Sequence, residues 1–405
     1  VSSGRRRPVE LVPRFRGQGY TDDEMARRRA WVEEKTGARL PQVGAGTVPA
    51  AEMRGNVENP IGTVQMPLGV AGPLLVRGEH ADGTFYVPLA TTEGALVRSY
   101  ERGMLVLTRA GGATVRIHRD ENRVSPVFWF DDVGDAADFA RALPGHFDAL
   151  RAEAEATTRH GKLLRVACHP LGREVIVEFV YSTADAQGMN MIVKATDRAC
   201  RWLMEQNGAA DGYFVFSGSS SEKRASGSLL AGGKGKKVVA GALLPRALVE
   251  TFLGVSPERL CDLWRRTVLG HLHAGAFGYN GHYANGLTAL FVATGQDVAN
   301  VANSSVGITV FELTAGGDVH ASVTLPSLSV ATVGGGTGLG TSRECLETLG
   351  CVGTGGAPKL AEIAAATLLA GELSMGAAIA GGEFVEAHET YGRNRPDGEA
   401  EEGGG

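Results

Sequence analysis

The sequence predicts an α+β fold: a large helix-rich domain, a smaller ferredoxin-like domain inserted into it, and a small helical N-terminal region. Three observations predict it. Residues 114–216 order themselves as strand, strand, helix, strand, strand, helix, strand, a split β-α-β sandwich with one added strand. The segments on either side, 56–113 and 217–396, read as helix-rich by their apolar spacing. A length of 405 residues with 43% hydrophobic content leaves room for two or three domains.

Local signals justify each element in turn. Region 1–55 opens on a basic, proline-containing stretch expected to be loose. Thr21-Asp22-Asp23-Glu24 is then a capping box, and the helix it opens runs to Lys35, where Gly37 stops it. Residues 90–95 place Glu93 at the first turn of a helix carrying Leu96, Tyr100 and Met104. Within 114–216, strands are expected at 114–117, 124–130, 163–167, 174–181 and 213–216, and helices at 135–158 and 187–206. The longest apolar stretch, 363–385, is rich in Ala and Gly and carries Glu372 and Glu383. It reads as a packed helix pair, not a membrane span. The tail 397–405, acidic and ending in three glycines, is expected to be disordered.

Composition excludes several classes. The net charge is −5 with dispersed basic residues, so no nucleic-acid partner is expected. Cys168, Cys200, Cys261, Cys345 and Cys351 form no Cys-x-x-Cys pair and read as reduced thiols of a cytoplasmic protein. The histidines show no metal spacing, since His271 and His273 cannot share a helix face, so no metal is expected. Arg5-Arg6-Arg7 is followed by no apolar run, so no signal peptide is expected.

Five segments could carry chemistry. Residues 185–191 run an acidic, glycine-bearing turn into a helix with Met189, Ile192, Val193, Cys200 and Leu203 at helical spacing. Asp185 can cap that helix, and Gly188 lets another molecule approach its first-turn amides, where the dipole favours negative charge. A capped core helix and an anion or nucleotide site fit equally. Glu93 is either a first-turn acid or a proton donor whose pKa is raised by burial or by its neighbours. The 217–224 loop, small residues ending in Glu222-Lys223-Arg224, is either solvated or holds a lysine where an oxyanion develops. Asp297, in Gly295-Gln296-Asp297 after the helix of Asn285, opposes the helix dipole and calls for a cationic partner. The turn Gly334-Gly335-Gly336-Thr337 can line a ligand with free amides, although its spacing fits neither a Rossmann fingerprint nor a P-loop. A lone histidine such as His388, after the last helix, is by itself usually incidental.

Together these segments resemble the 3-hydroxy-3-methylglutaryl-coenzyme A reductase family, from about Arg28 to Arg395. The carrying motifs are Glu58-Asn59-Pro60-Ile61-Gly62, Thr91-Thr92-Glu93-Gly94, Asp185 to Met191, Gly295-Gln296-Asp297, Gly334 to Thr337, and Ala387-His388. The segment 233–239 leans toward the class I branch in a soluble form, while Ala387-His388 with Gly392-Arg393 looks archaeal or bacterial.

The resemblance implies reduction of the acyl-coenzyme A thioester to mevalonate and free coenzyme A with two NADPH, in isoprenoid precursor supply. It implies Glu93, Lys223, Asp297 and His388 as catalytic residues. Lys223 would stabilise the oxyanion, and Asp297 would sit between Lys223 and Glu93. His388 would protonate the leaving thiolate, and Glu93 would supply the proton for aldehyde reduction. Asp185, Gly188, Met189, Asn190 and the Gly334, Gly335, Gly336, Thr337 turn match the nicotinamide-nucleotide site, with Arg159 on the 2′-phosphate. Residues 114–216 would then be the NADP-binding domain, and the two flanking segments the substrate-binding domain. Arg116, Ser217, Glu222, Arg224 and Asn285 match substrate positions. Active sites shared between subunits imply a homodimer or homotetramer.

Two departures stand out: Gln187 replaces the usual methionine, and the lysine loop is one residue shorter than usual, ending Glu222-Lys223-Arg224-Ala225. The altered loop motivates a second reading, a reductase of a related acyl-coenzyme A. A non-catalytic nucleotide-binding paralogue is a third, opposed by retention of all four catalytic residues.

Overall fold

The computed structural model describes residues 10–15, 19–206 and 208–382. In chain order, with helices of nine or more residues numbered, α1 (Asp22–Thr36) precedes β1 (Leu68–Arg77), β2 (Asp82–Ala90) and α2 (Leu96–Arg109). Next come β3 (Ala113–Val124), β4 (Val127–Phe130), α3 (Val133–Ala142), α4 (Phe147–Glu155), β5 (Lys162–Leu171), β6 (Glu174–Ser182), α5 (Met189–Gln206) and β7 (Ala210–Phe214). The chain continues through β8 (Gly235–Leu244), α6 (Pro257–His273), α7 (Tyr283–Thr294), β9 (Ile308–Leu313) and β10 (Val319–Leu328). It ends on α8 (Gly340–Thr348) and α9 (Gly356–Gly381).

The buried residues form two main cores. One gathers Val124 to Leu203; the other gathers residues from 71–115 and 238–380. A single path of strands, β7-β4-β6-β3-β8-β10-β9, runs through both, with β1 and β2 beside β3, and β5 beside β6. β3 is the shared element. Its residues 114–121 pair with β8, and Asn122, Arg123 and Val124 pair with β6. One strand thus fixes the two cores relative to each other.

The larger core has the helices that the sequence suggests, and also a sheet that it does not. It is built around β1, β2, β8, β9, β10 and the first part of β3. These strands escape a sequence reading because Gly, Ala, Pro and Lys dilute their β-branched residues, as in Gly-Lys-Lys-Val-Val-Ala-Gly-Ala-Leu-Leu of β8. Tertiary cover makes them strands.

α1 carries the expected capping box: Thr21 Oγ1 accepts the Glu24 N–H at 3.2 Å, and Glu24 Oε2 accepts the Thr21 N–H at 3.1 Å. Gly37 stops it at φ +74°. From α1, Arg28 and Arg29 donate to the Pro60 and Ile61 carbonyls, at 3.3 and 3.0 Å. The Glu58–Gly62 motif is therefore clamped by the N-terminal helix. The helix expected at 135–158 is instead two, α3 and α4, because Pro144 and Gly145 interrupt it.

α9 is a second correction. Residues 363–385 were expected to form a helix pair, and the described part is one continuous helix to Gly381. Among the described residues it is the one helix long and apolar enough to cross a membrane, and 89% of that window is buried inside the fold. It crosses α2 so closely that a Cβ on Gly103 would overlap the Ala370 carbonyl. All five thiols are free.

Candidate active site

The lysine loop is shaped by its own small residues. Ser217 Oγ donates to the Ser125 carbonyl at 2.7 Å, and Ser221 Oγ lies 2.7 Å from Ser226 Oγ and 3.1 Å from Ser228 Oγ. Ser221 and Lys223 adopt φ +55° and +54°, the left-handed region that side chains seldom occupy. The turn that results sends successive side chains apart. Glu222 pairs with the buried Lys234, and Lys223 Nζ meets Asp297 Oδ2 at 2.7 Å. Arg224 remains exposed. The Asp297 carboxylate holds the Lys223 ammonium above the ordinary lysine value of 10.5.

Asp297 therefore has the cation that the sequence asked for. It does not merely oppose a helix dipole, because its Oδ1 accepts the Ala299 N–H at 3.1 Å and caps the next short turn. Gly295, at φ +65°, ends α7 and touches the glycine turn backbone to backbone: a Cβ there would overlap the Gly336 carbonyl. Gln296 exchanges both amide bonds with Ala331, donating at 2.9 Å and accepting at 2.8 Å. The Gly-Gln-Asp motif is thus one glycine for contact, one amide for register and one acid for the lysine.

Asp185 corrects a second expectation. It does not cap its own helix, α5. Its oxygens accept the Gly355 and Ala357 N–H groups, both at 3.0 Å, at the start of α9. The Thr332 N–H donates to the Asp185 carbonyl at 2.9 Å, and Ala186 pairs with Val333. Gly188 (φ +71°), Met189 and Asn190 at the start of α5 are thereby set beside the Gly334–Thr337 turn. Thr337 Oγ1 closes that turn on the Gly334 carbonyl at 2.7 Å, and Gly334 and Gly335 have open space where a Cβ would stand. Arg159 is exposed in the turn before β5; the neighbouring Thr158 hydroxyl lies 2.8 Å from Met191 Sδ in the first turn of α5.

Glu93 is not in the first turn of α2. It precedes the helix, whose N-cap is Ala95 in the left-handed region. Asn285 Nδ2 donates to both its oxygens, at 3.1 and 2.8 Å. Both residues line a cavity of about 800 Å³ with His282, Leu96, Ser99 and Ser374. Burial pushes His282 below the ordinary histidine value of 6.5, against the pull of the Glu93 charge. Glu372, buried in α9, accepts the Gly281 N–H at 3.1 and 3.2 Å and the His282 N–H at 2.5 Å, which fixes the start of α7.

The structure gathers the expected residues in groups, not in one cluster. Asn285 sits in the first turn of α7 and Asp297 beyond its end, so the helix between them, about 14 Å of rise from Asn285 to Thr294, sets the two pairs at opposite ends of α7. Arg116 joins neither group: it donates to the Arg77 carbonyl at 3.1 Å and faces Glu79 at 3.5 Å. Arg123, which the sequence reading did not single out, reaches the lysine loop, donating to the Ser220 carbonyl at 3.4 Å and Ser228 Oγ at 3.2 Å. Asn122 was also missed. It donates to the Gln187 carbonyl at 3.2 Å and accepts the Gly235 N–H at 3.1 Å, tying the α5 turn to β8. Both lie in the continuously buried run 121–124 at the end of β3, where a polar pair reads as solvated until the fold covers it. His388 and the tail 397–405 lie outside the described residues.

An acid held by an amide, a lysine held by an acid, and a glycine-lined cradle at a helix start define an enzyme of the reductase type. Comparison with known proteins makes this specific. The family model for hydroxymethylglutaryl-coenzyme A reductase matches residues 24–393, and the chain belongs to that family. It is 44% identical to the 3-hydroxy-3-methylglutaryl-coenzyme A reductase of Methanothermobacter thermautotrophicus, over 92% of this chain and 94% of the relative. The Methanocaldococcus jannaschii enzyme is 40% identical, over 96% and 97%. Among solved structures, a class II Streptococcus pneumoniae reductase bound to NADPH matches at a TM-score of 0.65. It shares 18% identity and covers 87% of this chain and 96% of its own.

Proposed function

We propose that this chain reduces 3-hydroxy-3-methylglutaryl-coenzyme A to mevalonate and coenzyme A, a mevalonate-pathway step supplying isoprenoid precursors. The carrying observation is the Lys223–Asp297 pair, set through Gly295 and Gly336 against the glycine turn beside the start of α5. That cradle fits a dinucleotide: it offers first-turn amides, open glycines and the buried, unpartnered Gln187 Nε2. NADPH, when bound, supplies the hydride for each of the two reductions. Asp185, Gly188, Met189, Asn190 and the 334–337 turn would hold it, with Arg159 on its 2′-phosphate.

Lys223, kept charged by Asp297, stabilises the oxygen that becomes anionic as the thioester carbonyl turns tetrahedral. His388 protonates the departing thiolate. Glu93, oriented by Asn285, delivers the proton for the aldehyde step. Ser217, Glu222, Arg224 and Arg123 shape the substrate loop, and the Glu93-lined cavity receives the acyl-pantetheine arm.

The strand order β7-β4-β6-β5 supports reading 114–216 as an inserted, ferredoxin-like NADP-binding domain. The separation of the two pairs along α7 supports sites completed between copies, in a homodimer or homotetramer. A class I-like, cytoplasmic enzyme is the subtype we favour. The 233–239 segment leans that way, while the similar solved structure is of class II.

The test is NADPH oxidation by the purified protein with hydroxymethylglutaryl-, succinyl- and acetoacetyl-coenzyme A. Two NADPH should be consumed per hydroxymethylglutaryl thioester. Faster turnover of another thioester would favour the related-substrate reading, and NADPH binding without oxidation the non-catalytic one.

A further inference from the structure

Lys234 is completely buried, yet nothing in the proposed chemistry uses it. It stands between Gly233 and Gly235, at φ +93° and +80°, which turn the backbone inward; a Cβ on Gly235 would overlap the Leu328 carbonyl. Its ammonium meets two segments. One partner is the Glu222 carboxylate, in the residue before Lys223. The other is Met189 Sδ at 2.8 Å, in the first residue of α5 beside Gly188. Arg123 and Lys223 add positive charge nearby.

Stability alone gives no reason for this arrangement. A buried ammonium loses several kcal/mol of hydration, and replacing a buried ion pair with apolar groups is often neutral or stabilising. What the pair supplies is register. The lysine loop has two residues in strained left-handed conformation, so its shape depends on what holds it. Lys234 holds Glu222, and through it the backbone of Lys223, to the turn from which the nucleotide cradle starts.

We propose that Lys234 is a positioning residue that ties the Lys223 loop to the first turn of α5, so that nucleotide binding orders the loop. This rests on the reading of 185–191 as the NADPH cradle. When the cradle closes on a nucleotide, Met189 is immobilised, the ammonium with it, and Glu222 is held in turn. The link is mechanical and local, through one cation.

The experiment is amide hydrogen exchange over residues 217–228, with and without saturating NADPH. The proteins are wild type, Lys234→Met and Glu222→Gln, with nucleotide binding followed separately by NADPH fluorescence. In the wild type, NADPH should slow exchange in the loop severalfold. Both variants should still bind NADPH, with the loop exchanging at its nucleotide-free rate, and the double variant should be no worse than either single one. Retention of NADPH-dependent protection in Lys234→Met would overturn the proposal, as would a wild-type loop indifferent to bound NADPH. Failure of both variants to fold would also overturn it, because the pair would then be a folding element. No NADPH binding by the wild type would instead bring down the functional reading beneath it.

Discussion

The two ends of α7 hold two acids in opposite ways. At the start, Asn285 presents an amide to Glu93, in a cavity walled by His282 and a mixed, largely polar face of α2. Past the end, Asp297 is half-exposed and spends its charge on Lys223. An acid that faces a neutral amide is oriented without a counter-charge; an acid that faces an ammonium becomes an anchor for it. The helix rise from Asn285 to Thr294, about 14 Å, puts the two at opposite ends of α7. On the proposed function, the two ends of α7 would be two half-sites, one for protons and one for negative charge.

The largest expected effect falls on the charged half. Lys223→Ala should cost on the order of 3 kcal/mol or more in the barrier, a hundredfold or greater in turnover, with NADPH binding intact. Near-full turnover would place the oxyanion elsewhere. A mixing experiment breaks or sharpens the comparison itself. Glu93→Gln and Lys223→Ala chains, each nearly inactive, should regain about a quarter of wild-type activity when co-assembled in equal amounts, since random pairing restores one site in each mixed dimer. No recovery would mean that both halves serve a single chain's site. The smallest effect lies along the pH axis. Asp297 raises the Lys223 pKa, so the protonated lysine persists above its ordinary value of 10.5 and is lost only as pH rises past it. Asp297→Asn should move that alkaline loss to lower pH, whereas Asn285→Ala should leave it in place. A pH profile of kcat/KM for the residual activity decides.

Much of the candidate site was legible because its residues are chemically odd for their positions. Asp297 after an apolar helix demanded a cation, and Lys223 is that cation. The box at Thr21 and Glu24 was legible for the same local reason. Asp185 was misread as the cap of its own helix, because sequence proximity cannot reveal that the first turn of α9, 170 residues away, lies closer. Arg116 was named through the family resemblance, and Arg123 was not singled out. Which of two arginines on one strand meets the loop depends on where β3 changes partner from β8 to β6.

By itself, the sequence determined what acts through nearest neighbours along the chain: helix caps, glycine turns, apolar spacing and the reactive residue types. Tertiary structure alone decided the rest. It made strands of the glycine- and alanine-diluted segments of the larger core, because burying one face of the sheet outweighs weak intrinsic preference. It joined Asp185 to α9, Lys234 to both Glu222 and Met189, and Glu93 to Asn285. Such contacts bring together groups distant in the chain, and their strength comes from exclusion of water, a property of the assembled fold and not of any segment.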